Sequence, residues 1–176
     1  SEANNNAARL GRNEWICFLN NDTILPDHGW LGMLVGTAQY KDWAATGPSS
    51  NAVLGIQQDC WNTEWPLTHE AKFLSGFCLV VRRDVFELIG GFDQHFFYGD
   101  EDLDLSIRIR KAGWRIGVNR FVHVQHINQA TLSTITESPG QHYAETRQQL
   151  IGKWGEDTLR DLFIWPELTI DRKSTR

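Results

Sequence analysis

Over its first fifty residues the chain alternates helix-like and strand-like segments, and this alternation restricts the fold more than any other feature. SEANNNAARLG reads as a short helix capped by Ser1 and ended at Gly11. WICFLN follows as a continuous apolar run of the kind buried on both faces of a sheet. Pro26 precedes apolar residues at Trp30, Leu31, Leu34 and Val35, which predicts a helix to about Tyr40, and WAATGP is the next strand. Helix, strand, helix, strand in this order implies a mostly parallel sheet covered by helices. Further on, FLSGFCLVVRR predicts a strand, DVFELIGGFD a short helix closed by Gly90 and Gly91, and DEDLDLSIRIRKAG a longer helix closed by Gly113. WRIGVN and FVHVQH predict two strands. GQHYAETRQQLIGKWG sets Tyr143, Leu150, Ile151 and Trp154 at helical spacing before Gly155, and an amphipathic stretch then runs to about Trp165. Residues 48–72 have no clean period and read as a long loop, a kind of segment that usually carries function.

A length of 176 residues suits one domain with a real core, expected over 1–165 with a frayed tail at 166–176. Hydrophobic residues at 41% and charged residues at 22% exclude a disordered or fibrous chain. The formal charge is −5 and Lys and Arg are nowhere clustered, so binding to nucleic acid through its phosphates is excluded. Cys17, Cys60 and Cys78 show no paired spacing, which fits a reducing compartment. No apolar stretch approaches the roughly 20 residues of a membrane span and no signal peptide opens the sequence, so the expectation is a cytoplasmic chain without a transmembrane segment.

Three short stretches carry chemical interest. The run WICFLN stops on Asn20, Asn21 and Asp22. An acid at the carboxyl end of a buried strand lies where open α/β sheets bind ligands. A turn acid that satisfies nearby amides is the simpler account of this stretch taken alone. In YGDEDLDLSIRIRKAG, four acids fall within five residues at a helix start. Helical geometry gathers Asp100, Asp104, Arg108 and Lys111 into one sector, which reads as a solvated face with an Asp104–Arg108 pair. Asp102 points instead toward the sector of Leu105 and Ile109, where partial desolvation makes it either a general base or a helix-end acid. In FVHVQHINQAT, His123 and His126 are either half-buried histidines or, with a carboxylate and a diphosphate, part of an octahedral Mg²⁺ or Mn²⁺ site.

Together FLNNDT (18–23), FLSGFCLVVRRDVFELIGGFD (73–93), YGDEDLDLSIRIRKAG (98–113) and His126 followed by Thr131 resemble the inverting glycosyltransferases of family 2. That resemblance implies a GT-A-like α/β fold, a mixed and mostly parallel sheet flanked by helices, here without the family's N-terminal nucleotide-binding strands. It places Asn20, Asn21 and Asp22 at the family's DxD motif, with Asp22 and His126 at the divalent cation. Asn20 stands where the motif has its first acid. Glu101 and Asp102 match the ED pair, with Asp102 as the base, and Ser75, Gly76 and Phe77 match the segment that lines donor sugar and acceptor. The processive QxxRW signature is missing, which implies transfer of a single hexosyl or deoxyhexosyl unit. The implied partners are a nucleotide-diphosphate sugar donor, a glycan or lipid-linked sugar acceptor and a Mn²⁺ or Mg²⁺ ion. A location in the cytoplasm or peripheral to the membrane and a role in polysaccharide assembly go with them.

The 48–72 segment, with Trp61 and Trp65, is then an acceptor-side loop or simply core. Without the N-terminal strands, a free sheet edge would invite a second copy or a partner chain. A different class of function, a non-catalytic module that binds sugar or nucleotide-sugar, uses the same acids and Trp residues without turnover. A metal-dependent hydrolase is more distant, since few His residues lie near the acids.

Overall fold

In the computed structural model, residues 1–53, 55–59, 66–96, 99–127 and 139–163 are described. The elements in chain order are α1 (Glu2–Leu10), β1 (Trp15–Leu19), β2 (Thr23–Ile24), α2 (Trp30–Lys41), β3 (Trp43–Ser49), β4 (Thr68–Glu70), β5 (Cys78–Arg82), α3 (Arg83–Leu88), α4 (Glu101–Lys111), β6 (Arg115–His123), β7 (Gln125–His126), α5 (Pro139–Trp154) and α6 (Glu156–Phe163). Trp61, Trp65, Cys60, Thr131 and the tail at 166–176 lie outside the described residues.

The main sheet has the order β1-β5-β3-β6-β4, and β2 pairs with β7 in a small second sheet. The α/β class with a mixed sheet is as the sequence implies, but the balance of pairings is a correction. Among the described strands only β3–β6 is parallel, while β1–β5, β3–β5 and β4–β6 are antiparallel. The physical reason is that β5 enters between β1 and β3 in the reverse direction, splitting the two strands that the helical crossover would otherwise have set side by side. The expectation of a β1 buried on both faces also fails. β1 is an edge strand, with Ile16 and Phe18 buried on one face while Leu19 is exposed. Its free side borders a groove of about 240 Å³ lined by α1 residues, Asn13, residues 15–18 of β1 and Arg83.

Side chains alternate across β1 and β5 as a pleated strand requires. Ile16, Phe18, Leu79 and Val81 join Val85 and Phe86 of α3 and Leu105 and Ile109 of α4 in one apolar layer. Cys78 and Val80 face the other side with Leu34 of α2, Phe77 and Val122. A third cluster, built from Leu103 and Ile107 of α4, Leu150 of α5 and Leu159 and Leu162 of α6, fixes the last two helices on the outer side of α4. α1 is tied down by its one buried amide. Asn5 donates to the Phe92 carbonyl and accepts from the Phe92 N–H, both at 2.8 Å. Gly91 makes room for it, since a Cβ there would sit 2.6 Å from the Asn5 side-chain oxygen and φ is +73°.

Three boundaries differ from the sequence reading. The 48–72 segment is not all loop: it holds a 3₁₀ turn at Gly55–Gln57 and the strand β4, which is too short for a period to show. WRIGVN and FVHVQH form one strand, β6, with an irregular register near Asn119, and only Gln125–His126 separates as β7. FLSGF stays outside β5, turning at Gly76 and Phe77 before the strand begins, and the Leu74, Ser75 and Gly76 amides bond side chains instead.

Candidate active site

Asp22 is positioned by the way β1 ends. The pairing with β5 continues one step past the strand, where the Asn20 N–H donates to the Phe77 carbonyl at 2.9 Å. Thr23 Oγ1 then donates to the Asn20 carbonyl at 2.8 Å and closes a turn across Asn21 and Asp22. β2 leaves this turn and pairs with β7 in the register Thr23 to His126, and the Ile127 N–H donates to the Asp22 carbonyl at 2.9 Å. Two residues a hundred positions apart are thereby brought face to face: Asp22 Oδ1 stands 3.2 Å from His126 Nε2, with both side chains 12% exposed.

His126 is held on every side. Its backbone N–H donates to Asn51 Oδ1 at 2.8 Å, and Asn51 Nδ2 donates back to its carbonyl at 3.1 Å, so one side-chain amide imitates a strand neighbour. The Phe77 ring lies against the imidazole at 5.4 Å and 28°. Nδ1 is 3.1 Å from the Ala52 carbonyl, a partner that can only accept, so Nδ1 carries a proton. Nε2 is left with two roles: it bears a second proton and forms an ion pair with Asp22, or it presents a lone pair beside the carboxylate oxygen.

The second role fits a divalent cation. Two cis ligands of an octahedral ion at about 2.1 Å stand about 3 Å apart, close to the 3.2 Å separating Asp22 Oδ1 from His126 Nε2. No group of three or more His, Cys, Asp or Glu ligands occurs among the described residues. Two protein donors, with the remaining positions left to water and phosphate oxygens, suit Mg²⁺ or Mn²⁺, which keep several non-protein ligands.

Asp102 sits in the first turn of α4 and accepts two backbone N–H groups, from Gly76 to Oδ2 at 2.7 Å and from Leu103 to Oδ1 at 2.8 Å. Burial pushes its carboxyl above the usual aspartate range against the pull of those two amides, and the charge of Asp100 adds to the rise. Glu101 beside it is pushed up to about 7, first by burial and then by the negative charge of Asp102. Glu101 Oε2 is buried without a hydrogen-bond partner among the described residues. Two adjacent carboxyls in this state resist being ionised together, and one of them holds a proton near neutrality.

The tripeptide Ser75–Phe77 ties the two halves together. Ser75 donates its N–H to Gln57 Oε1 at 2.6 Å, Gly76 donates to Asp102, and Phe77 supplies its carbonyl to Asn20 and its ring to His126. Asn20, Asp22, His126 and Asp102 are thus linked through this segment, whereas Asn21 lies exposed in the turn, Glu101 is reached only as the neighbour of Asp102, and His123 stands apart with its Nδ1 2.8 Å from Asp59 Oδ2. Phe77 itself is buried and supports the imidazole.

The acids of α4 required a correction. Asp100 and Asp104 are buried, not solvated. Asp104 has no exposed side-chain surface and meets Arg108 Nε at 2.7 Å, Lys153 Nζ at 2.7 Å and Trp154 Nε1 at 2.8 Å. Asp100 is gripped by Arg147. The i,i+4 pair with Arg108 exists as expected, but α5 covers it, and helical spacing within α4 contains no information about a helix that packs on top. Sequence reasoning also missed Asn51 and Gln57, which fell in an aperiodic segment. The only signal was an unusual density of amides, at Asn51, Gln57 and Gln58.

No family model matches the chain. The chain is 30% identical to the O-antigen biosynthesis protein RfbC of Myxococcus xanthus over 139 residues, which is 64% of this chain and 11% of that protein. It is 42% identical over 72 residues to an N-acetylglucosaminyl-diphospho-decaprenol L-rhamnosyltransferase of Mycobacterium tuberculosis, 36% of this chain and 24% of that protein. The chain therefore matches about a tenth and a quarter of the length of these curated relatives. Among solved structures it is similar to GalNAc-T7 crystallised with UDP, GalNAc and Mn²⁺, with a TM-score of 0.63 and 14% identity over 92% of this chain and 37% of that one.

Proposed function

We propose that this chain, which has the GT-A fold, is a glycosyltransferase of the family 2 type that moves one sugar from a nucleotide-diphosphate donor to an acceptor hydroxyl with inversion at the anomeric carbon. Asp102 accepts the acceptor proton, the freed oxygen forms the new bond to the anomeric carbon, and the bond from that carbon to the diphosphate breaks, its electron pair leaving with the phosphate oxygen. Of the two coupled carboxyls, Asp102, which accepts the Gly76 and Leu103 amides, is taken as the ionised member and so as the base. Asp22 and His126 would hold a Mn²⁺ or Mg²⁺ ion, which when bound supplies charge neutralisation to the leaving diphosphate. Asn20, Asn21, Ser75 and Gly76 form the donor-side wall, and Phe77 keeps the imidazole in place.

The observation that carries this reading is the single tripeptide that contacts both the Asp22–His126 pair and Asp102, because a transferase needs its leaving-group site and its base at one point. The acceptor is a lipid-linked sugar or a glycan under assembly, as suggested by the diphospho-decaprenol substrate and the O-antigen role named for the relatives. We place the chain in the cytoplasm or at the membrane face as a single transferase domain; no helix of the described residues is long and apolar enough to cross a membrane. The free edge of β1 is the place where a further strand, from a second copy or a partner chain, would pair.

The test is titration of Mn²⁺ by calorimetry with and without uridine or thymidine diphosphate, on this chain and on Asp22→Ala, followed by a donor screen with Asp102→Asn as the control. The expected result is binding strengthened by nucleotide, lost in Asp22→Ala, and transfer lost in Asp102→Asn with binding retained. Binding of equal strength in Asp22→Ala would remove the cation from this site. Nucleotide binding without transfer in any donor and acceptor pair would leave a sugar-nucleotide binding module.

A further inference from the structure

The residue before the acid pair has an unusual backbone. Asp100 caps α4 at φ +63°, one of only two described non-glycine residues with positive φ. An aspartate there is strained, and such strain persists only where the surroundings hold it. What holds it comes from 47 residues downstream: Arg147 Nε donates to Asp100 Oδ2 and Nη2 to Oδ1, both at 2.8 Å, a two-point guanidinium–carboxylate bond. Asp100 is 8% exposed and Arg147 is its charge partner, the guanidinium side chain lying 36% exposed at the rim. Three further residues on the same helix extend the contact. Tyr143 lies against Gly99, where an added Cβ would meet its ring at 2.8 Å, and Lys153 and Trp154 bond Asp104. Of the four acids at the start of α4, α5 thus binds the two that flank the Glu101–Asp102 pair.

From this geometry we infer that Arg147 is a positioning residue for Asp102: its two-point bond fixes the left-handed cap from which Glu101 and Asp102 project and cancels the nearest fixed negative charge. The inference rests on the reading of Asp102 as the base. The groups that face Asp102 are Asp100 and Glu101 from its own helix, the Gly76 and Leu103 amides, and the Tyr143 phenol from α5, whose own ionisation is opposed by burial and by these three acids. Arg147 reaches this set through Asp100, and the amino group of Ser1 acts on Glu101 by its positive charge. Its guanidinium also lies 5.6 Å from the Phe163 ring centroid, which limits its freedom to turn away.

The experiment follows the Asp102 carboxyl by ¹³C NMR titration, a readout that needs no turnover, in the wild-type chain, Arg147→Met, Arg147→Lys and Asp100→Gly/Arg147→Met, and then compares kcat against pH for the same set. In Arg147→Met the Asp102 midpoint rises by about one pH unit, because a buried like charge is left uncompensated, and the acid limb of kcat moves up with it while donor KM stays within about twofold. Arg147→Lys returns the midpoint toward wild type through its charge but recovers less of kcat, since an ammonium cannot make the fork. The double variant restores the midpoint, because glycine accepts φ +63° freely and carries no charge to cancel; it also keeps the test decisive should Arg147→Met alone fail to fold. An Asp102 midpoint unchanged in folded Arg147→Met, or still raised in the double variant, overturns the inference. A shifted midpoint with no transfer by wild type sinks the base role and leaves the electrostatic link standing, whereas transfer by wild type with an identical pH profile in Arg147→Met does the reverse.

Discussion

Replacing Glu101 by glutamine should make the protein more stable at pH 8 and leave it unchanged at pH 4. In the folded chain Glu101 is raised from 4.5 to about 7 by burial and by Asp102, so between those values the folded state binds a proton that the unfolded state has released. A group raised in this way contributes its full stability below the unfolded pKa and loses it as pH climbs through the folded one. The loss is about 1.4 kcal/mol per unit, or roughly 3 kcal/mol over this window. Glutamine cannot ionise, so the variant escapes the loss, and its neutral amide resembles the protonated acid it replaces. Unfolding in urea, followed by tryptophan fluorescence from pH 4 to 8, gives the difference directly. The curves should coincide at pH 4 and part progressively above pH 5, reaching about 3 kcal/mol at pH 8. A difference independent of pH, or a variant less stable than wild type at pH 8, would refute the burial argument and with it the view that Glu101 is protonated beside an ionised Asp102. The predicted sign also means that the chain tolerates a destabilising acid at the point where chemistry is proposed, the usual relation between stability and an active site.

Asp104→Ala removes the shared acceptor of Arg108, Lys153 and Trp154; Lys153 keeps Asp93, but the Arg108 guanidinium is left buried without a carboxylate, for an expected loss of about 3–5 kcal/mol in urea unfolding. A loss below 1 kcal/mol would mean the network is solvated after all. Gln57→Leu keeps the volume but strips the Ser75 N–H and the Pro48 carbonyl of their partners, and should lower stability by about 1–3 kcal/mol, with faster hydrogen exchange at the Ser75 and Gly76 amides as the local check.

Much of the fold was legible in the chain itself. Helix limits at α1, α3 and α4 follow from residue spacing and from the glycines that end them, and the course of α2 from its apolar spacing, since these signals act within a turn or two of their own position. Asp22 and His126 stood out because a carboxylate or imidazole at the end of an apolar run is unexpected where burial is the rule, and Asp102 because helical spacing turns it from its acidic neighbours toward Leu105 and Ile109. The antiparallel entry of β5, the edge position of β1 and the small strand β4 could not be read, because pairing direction depends on which segments meet and short strands leave no period.

What the sequence determined by itself was the set of chemical groups and the local elements that carry them, because both are fixed by residue type and near-neighbour spacing. Only the tertiary structure decided their states. The β2–β7 pairing set Asp22 Oδ1 3.2 Å from His126 Nε2, α5 turned Asp100 and Asp104 from apparent surface acids into buried, neutralised anchors, and a buried amide at Gln57 aimed the 75–77 segment at Asp102. Burial and charge pairing are properties of contacts made across dozens of residues, so whether an acid is a helix-end decoration or a reactive base is settled when the chain closes over it.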